Sequence, residues 1–283
     1  MIAYESRVIG IIYTIAAIIL ICFVNILFLK SRKIWMEKKI NKYLLKFQDY
    51  FTYIQAQIDS DDNLMAPQSP LNSLERVVLQ KKLIEWIHHF KGGHREKLIK
   101  LCGDMELIKL DLKYLHSPLP WRRLNAVYNL GAMRSNQAMP RLLKLLEANK
   151  YDPIIFIIAR SIAKCASTED DLREMVLLLV RHRKNVHHLI VDIIKESEID
   201  STPLMMEFLM DDDYDLIKIA LVGMPVYMES NIVPRLYRLL DFEDEEIRTK
   251  ATGMLNSNNR FLPPGNGGVQ DEIERVLLNN QAV

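Results

Sequence analysis

Residues 139–146 read Met-Pro-Arg-Leu-Leu-Lys-Leu-Leu and residues 233–240 read Val-Pro-Arg-Leu-Tyr-Arg-Leu-Leu, two copies of one helix start set 94 residues apart. Leu172 and Pro203 occupy the corresponding places between them, so the anchors run 140, 172, 203 and 234, with steps of 32, 31 and 31. A unit of this length cannot bury an apolar face alone and must stack on its neighbours. The period therefore predicts an all-α chain built as an α-solenoid of helical hairpins, an architecture whose usual work is to hold partners.

Within each hairpin the first helix carries a small residue at a fixed place, Ala126, Ala159, Ala220 and Ala251, with Ile190 in the third copy. A small side chain there lets two helices approach closely. The second helices carry apolar stripes: Leu142, Leu143, Leu145 and Leu146; Val176 to Leu179; Met205, Met206, Phe208 and Leu209; Leu236, Leu239 and Leu240. Stripes at this spacing are expected as core. Proline in a first helical turn costs no hydrogen bond and presets the backbone, which accounts for Pro140, Pro203 and Pro234. Pro225 is expected to end or kink a first helix, Asp215 to Met224. Upstream, a helix from about Ser73 to Phe90 ends at Gly92-Gly93, and a degenerate pair follows, Arg95 to Cys102 and a second helix capped by Asp104. About six helical pairs fill residues 74–283; an insertion at 256–268 separates Glu245 to Leu255 from a polar closing helix, Asp271 to Asn279.

Ser117-Pro-Leu-Pro-Trp121-Arg122-Arg123-Leu-Asn-Ala126-Val127-Tyr-Asn-Leu130-Gly131, followed by the helix start at Met139, is similar to the short HEAT-like repeat, also called the phycobilin-lyase-type HEAT repeat. Glu246-Ile247-Arg248 before Ala251 resembles the same helix start, and the likeness covers about residues 94–256. Membrane-anchored bacterial proteins of this kind are known. The resemblance implies a scaffold or adaptor, sometimes beside envelope polysaccharide machinery, and no conserved catalytic residue. Two alternatives stay open: a HEAT-type enzyme such as a chromophore lyase or a DNA glycosylase, or a sensory or dimerising element with the heptad seam of residues 40–58 as its motor.

Val8 to Leu29 is a run of 22 residues without a formal charge. As a helix it reaches about 33 Å, enough to cross the hydrocarbon core. A cleaved signal peptide is the competing reading, but the run is too long for one and no small-x-small site follows it. Lys30, Arg32, Lys33, Lys38, Lys39 and Lys42 outweigh Arg7 on the other flank. The rule that keeps Lys and Arg inside predicts a single-pass protein of the plasma (inner) membrane with residues 1–7 outside and the body in the cytoplasm. Asn25 either bonds across to another helix or to its own backbone.

Residues 30–58 form a basic juxtamembrane amphipathic helix in which Ile40, Leu44, Phe47, Phe51, Ile54 and Ile58 recur at heptad steps. Two readings follow: a parallel coiled coil, giving a homodimer through residues 40–58, or a helix packed as a cap on the array. Asp59 to Ser73 is polar, contains two prolines and reads as a linker. The segmentation is thus 1–29, 30–58, 59–73 and 74–283.

From Lys30 to Lys46 there are seven bases against one acid, while residues 47–283 carry 29 bases and 34 acids. A net acidic body disfavours nucleic acid as a partner. Cys22, Cys102 and Cys165 lack Cys-x-x-Cys spacing, and His88, His89, His94 and His182, His187, His188 contain no i, i+4 pair, so no metal or cofactor is expected. No phosphate loop, nucleophile elbow or dinucleotide fingerprint is present. The candidate site is instead a broken basic stripe on the second helices, Arg141, Lys144, Arg173, Arg235 and Arg238, expected to receive an acidic segment of a membrane-associated protein. A solvated face with local ion pairs is the alternative.

Overall fold

The computed structural model describes residues 2–149, 152–224 and 232–259, with side chains from 14 to 256 within those ranges. Every regular element among them is helical. The chain divides into two compact units, Met1–Lys109 and Leu110–Val283.

The first unit begins with α1, Ile2–Lys46, a single helix of 45 residues and so about 68 Å long. Its stretch Thr14–Lys46 is long and apolar enough to cross a membrane, and its most apolar 18-residue window has a mean hydropathy of 2.3 with none of it buried. Ile19, Leu20, Ile21 and Phe28 are each more than 60% exposed. Asn25 Nδ2 donates to the Ile21 carbonyl at 2.9 Å, so its polar group is satisfied locally.

A short irregularity at Phe47 separates α1 from α2, Gln48–Gln57. Phe47, Phe51, Ile54 and Ile58 are buried inside the unit, and Phe51 meets Trp86 of α3, Ser73–His89, edge-on at 5.6 Å. Four of the six seam residues are thus covered within the unit itself. Only Ile40 and Leu44 stay half-buried. Asn72 and Glu75 form a reciprocal capping box at the start of α3, and Lys46 Nζ reaches Glu75 at 2.6 Å while the Glu75 side chain is only 6% exposed. That contact fastens the end of α1 to the start of α3. The expected linker is pinned to the unit: Leu64 is buried, Tyr50 Oη donates to the Met65 carbonyl at 2.9 Å, and Lys100 Nζ donates to Asn63 at 2.9 Å.

Next come α4, Gly93–Asp104, and α5, Leu107–Tyr114. Asp104 therefore ends α4 and does not cap α5, a correction to the sequence reading. The turn is made by Glu106 at φ 57°, its amide donating to the Gly103 carbonyl at 2.9 Å.

In the second unit, α6 (Pro120–Ala132), α8 (Ile155–Cys165), α10 (His187–Ile194), α12 (Tyr214–Gly223) and α14 (Glu245–Asn259) each pack against the next member of that series. Between them run α7 (Met139–Ala148), α9 (Glu169–His182), α11 (Thr202–Met210) and α13 (Val233–Leu239). The anchors Pro140, Leu172, Pro203 and Pro234 all fall in the first turns of these four helices. Ala126, Ala159, Ile190, Ala220 and Ala251 are all fully buried. The stripe on α9 is narrower than expected, because Leu177 is 42% exposed. The α14 helix runs on through Asn259, past the expected end at Leu255. Pro225, most of the 256–268 insertion and the closing helix lie outside the described residues.

The tightest joint lies between α6 and α8. A Cβ placed on Gly131 would stand 2.7 Å from the backbone Cα of Ser161. Beside it the Cys165 thiol donates to the Leu130 carbonyl at 3.3 Å, and burial pushes that thiol's pKa up to about 12, keeping it a protonated donor. Gly131→Ala should therefore force two backbones apart and lower stability by about 1–3 kcal/mol, the range for overpacking. Gly103→Ala, whose new methyl would meet nothing within 4 Å, should leave the melting temperature unchanged or slightly raised; thermal denaturation of both variants checks the contrast.

Candidate functional site

The five basic residues of the expected stripe meet different fates. Arg141 on α7 donates Nη1 to the Leu112 carbonyl in the last turn of α5 at 3.1 Å. Arg235 on α13 donates Nε to the Leu209 carbonyl at 2.9 Å and Nη2 to the Asp211 carbonyl at 2.7 Å, at the end of α11. Both arginines thus fill carbonyls that a helix end leaves without intrahelical partners. Arg173 on α9 is taken by Glu207 of α11 through Nε at 3.1 Å, with Nη2 on the same carboxylate, and by Asp170 in its own first turn. Lys144 and Arg238 are exposed and make no ion pair with any described residue. The structure brings the five together as no continuous cationic surface, since Val176 and Glu207 hold the intervening places.

The use of long cations on helix ends is general in this chain. Lys97 Nζ donates to the carbonyls of Ile58 and Ser60 after α2, Arg95 Nε to Phe90 after α3 at 3.0 Å, and Arg134 Nη1 to Lys164 in the last turn of α8 at 3.3 Å. Each places positive charge at the negative pole of a helix dipole.

Sequence reasoning missed a second cluster as a site. Leu119 and Trp121, at the start of α6, are 42% and 58% exposed. The exposed Arg122 guanidinium lies near two rings, 5.7 Å from the Tyr114 centroid and 5.3 Å from that of Trp121. Trp, Tyr and Arg are the residues that dominate binding hot spots, and stacking preorganises this Arg for a partner at little further entropy cost. A signal was available: at 100° per residue Trp121 points about 175° away from the core face of Ala126, Val127 and Leu130.

Of the histidines, His187 is buried. His187 Nε2, at the first residue of α10, is 2.8 Å from Asp215 Oδ1 on α12, and Lys184 Nζ is 2.5 Å from Asp215 Oδ2. Desolvation raises the Asp215 pKa, but the hydrogen bonds from Lys184 and His187 outweigh it and leave the carboxyl below its usual range. A groove of about 480 Å³ between α10, α12 and α14 is lined by His188, Asp192, Lys195, Leu221, Met224 and Lys250 among others. Asp192 and Glu246 engage its two lysines. Among the described residues no group of three or more His, Cys, Asp or Glu is placed to hold a metal ion.

No family model matches the chain, and comparison with the curated proteins and with the solved structures finds no match either.

Two predictions follow from this geometry. Arg235→Met removes two charge-assisted bonds to carbonyls and should cost about 2 kcal/mol, whereas Lys144→Glu and Arg238→Glu should each change stability by less than about 0.5 kcal/mol; chemical denaturation separates the two classes. The lowered Asp215 pKa means that its contribution to stability is complete above the unfolded value of about 3.9 and disappears as pH falls through the folded value. Asp215→Asn should therefore melt lower than the parent at neutral pH and show a shallower loss of stability as pH falls below about 4, read from melting curves across that range.

Proposed function

We propose that this chain is a single-pass membrane protein whose HEAT-like α-solenoid acts as a scaffold or adaptor, binding a protein partner at the cytoplasmic face of the plasma (inner) membrane. The length and exposed apolar surface of α1 support the anchor, and the basic flank after Leu29 supports the cytoplasmic side for the body. The solenoid reading is supported by the series α6, α8, α10, α12 and α14, each helix touching the next, together with the anchors at near-equal steps. The observation that carries a binding function is the exposed Trp121, with the Arg122 guanidinium beside both it and Tyr114. Lys144 and Arg238, without an ion pair among the described residues, are what remains of the basic stripe, and they add charge toward an acidic partner surface. Tethering confines the array to a thin layer and raises the effective concentration of membrane-associated partners, so modest affinity suffices. Envelope polysaccharide machinery is one setting in which proteins with the HEAT-like resemblance sometimes stand.

The test is crosslinking of the full-length protein in its native membrane, followed by identification of what copurifies. One membrane-associated protein should be recovered with the parent, at least tenfold less with Trp121→Ala combined with Arg122→Ala, and not at all when residues 1–29 are deleted. The double variant should retain the parent's helical content and melting temperature. Undiminished recovery with it would remove the hot-spot reading, and undiminished recovery without the anchor would remove the tethering.

A further inference from the structure

We infer that the segment of α1 that follows its apolar run is a binding surface for anionic phospholipid headgroups, with Lys30 and Lys38 as the principal cations and Trp35 as the interfacial anchor. This rests on the spanning role proposed for α1. Leu27, Lys30, Ser31, Ile34, Trp35 and Lys38 line one shallow notch on the side of this helix. Their spacing sets an apolar floor, Leu27 and Ile34, beside a hydroxyl, an indole and two ammonium groups. That is the order of chemistry met along a phospholipid from acyl chain to phosphate.

The direction of the chain makes the arrangement effective. Side chains on a helix tilt toward its N-terminus, and the N-terminal end of α1 is the end that would lie in the bilayer. Every lysine beyond Leu29 therefore leans back toward the phosphates. The Lys38 backbone stands about 14 Å beyond Leu29, and its long stem, aimed backward, carries the ammonium toward a headgroup layer about 5–8 Å thick. The remaining gap is of the order of the Debye length, about 8 Å at physiological ionic strength. Lys30 approaches the same layer from the deeper side.

The surface is unencumbered. Neither Lys30 nor Lys38 forms an ion pair with a described residue, and the one acid of the segment, Glu37, lies 3.9 Å from Lys33. Trp35 is 55% exposed, and its ring is held under the Lys39 ammonium at 3.9 Å from the centroid. Ile40, Leu44 and Phe47, the residues of this stretch that turn toward the unit's own core, are on the other side of the helix at 100° per residue.

The full-length protein is reconstituted in phosphatidylcholine bilayers carrying spin-labelled phosphatidylglycerol or spin-labelled phosphatidylcholine, and the motionally restricted fraction of each is measured. Restricted phosphatidylglycerol should exceed restricted phosphatidylcholine several-fold. The preference should fall toward unity at high salt and in Lys30→Gln combined with Lys38→Gln, and should be unchanged in Lys195→Gln. Equal restriction of the two lipids, or a preference that survives the double substitution, overturns the inference. Binding of soluble polyglutamate that depends on Lys38, without lipid preference, overturns it in favour of an acidic protein segment. Extraction of the unmodified protein from native membranes by alkaline carbonate would instead show that α1 does not span, and both readings would fall together.

Discussion

Every short helix ends with carbonyls that have no partner along its own axis, and in this chain the recurring answer is a long cation brought in from another turn. Lys97 serves the end of α2, Arg95 that of α3, Arg141 that of α5, Arg134 that of α8 and Arg235 that of α11. Helices of 8 to 14 residues are marginal by themselves and depend on tertiary contacts for their stability. A cation that completes the C-terminus of a neighbouring helix closes a carbonyl and complements a dipole at once. Apolar burial supplies the bulk of the adhesion between helices, but it is non-directional. The arginine caps help fix where each helix stops and which neighbour it meets.

That interaction also explains what could be read in the sequence. The all-helical class, the long apolar first helix, the buried alanines and the proline-led helix starts were all legible, because each follows from spacing along one chain. Arg141 and Arg235 of the stripe were visible by position, yet their partners are carbonyls 24 to 29 residues away, and a carbonyl carries no side-chain signature. The end of α4 was misread for a related reason. The left-handed turns after α4 and α6 are made by Glu106 and Arg134, at φ 57° and 48°, where a sequence reader looks for glycine. After α6 the Ser135 amide reaches the Leu130 carbonyl and the Arg134 amide that of Gly131, the paired bonds of a Schellman turn, and the Arg134 side chain then reaches α8 and Glu198.

The candidate surface was half legible. Trp121 and Arg122 belong to the motif that carries the HEAT-like resemblance, and the helical wheel places Trp121 opposite the core. Their pairing with Tyr114 depends on how α5 meets α6, which no periodicity specifies. The heptad seam shows the same ambiguity. Its spacing is equally compatible with a second chain or with the chain's own α3, and within the chain Phe51 is buried against Trp86.

The unbroken course of α1 to Lys46, and the ion pair that joins its last residue to Glu75, have a mechanical meaning. A continuous helix is a poor hinge and a good shaft, so rotation or displacement of residues 14–29 about the helix axis is delivered to α3 with little loss. The phase of that shaft is set by residue count alone. One residue inserted between Leu29 and Lys46 would turn everything fastened beyond it by about 100° and advance it by about 1.5 Å, while seven would restore its bearing to within about 20°.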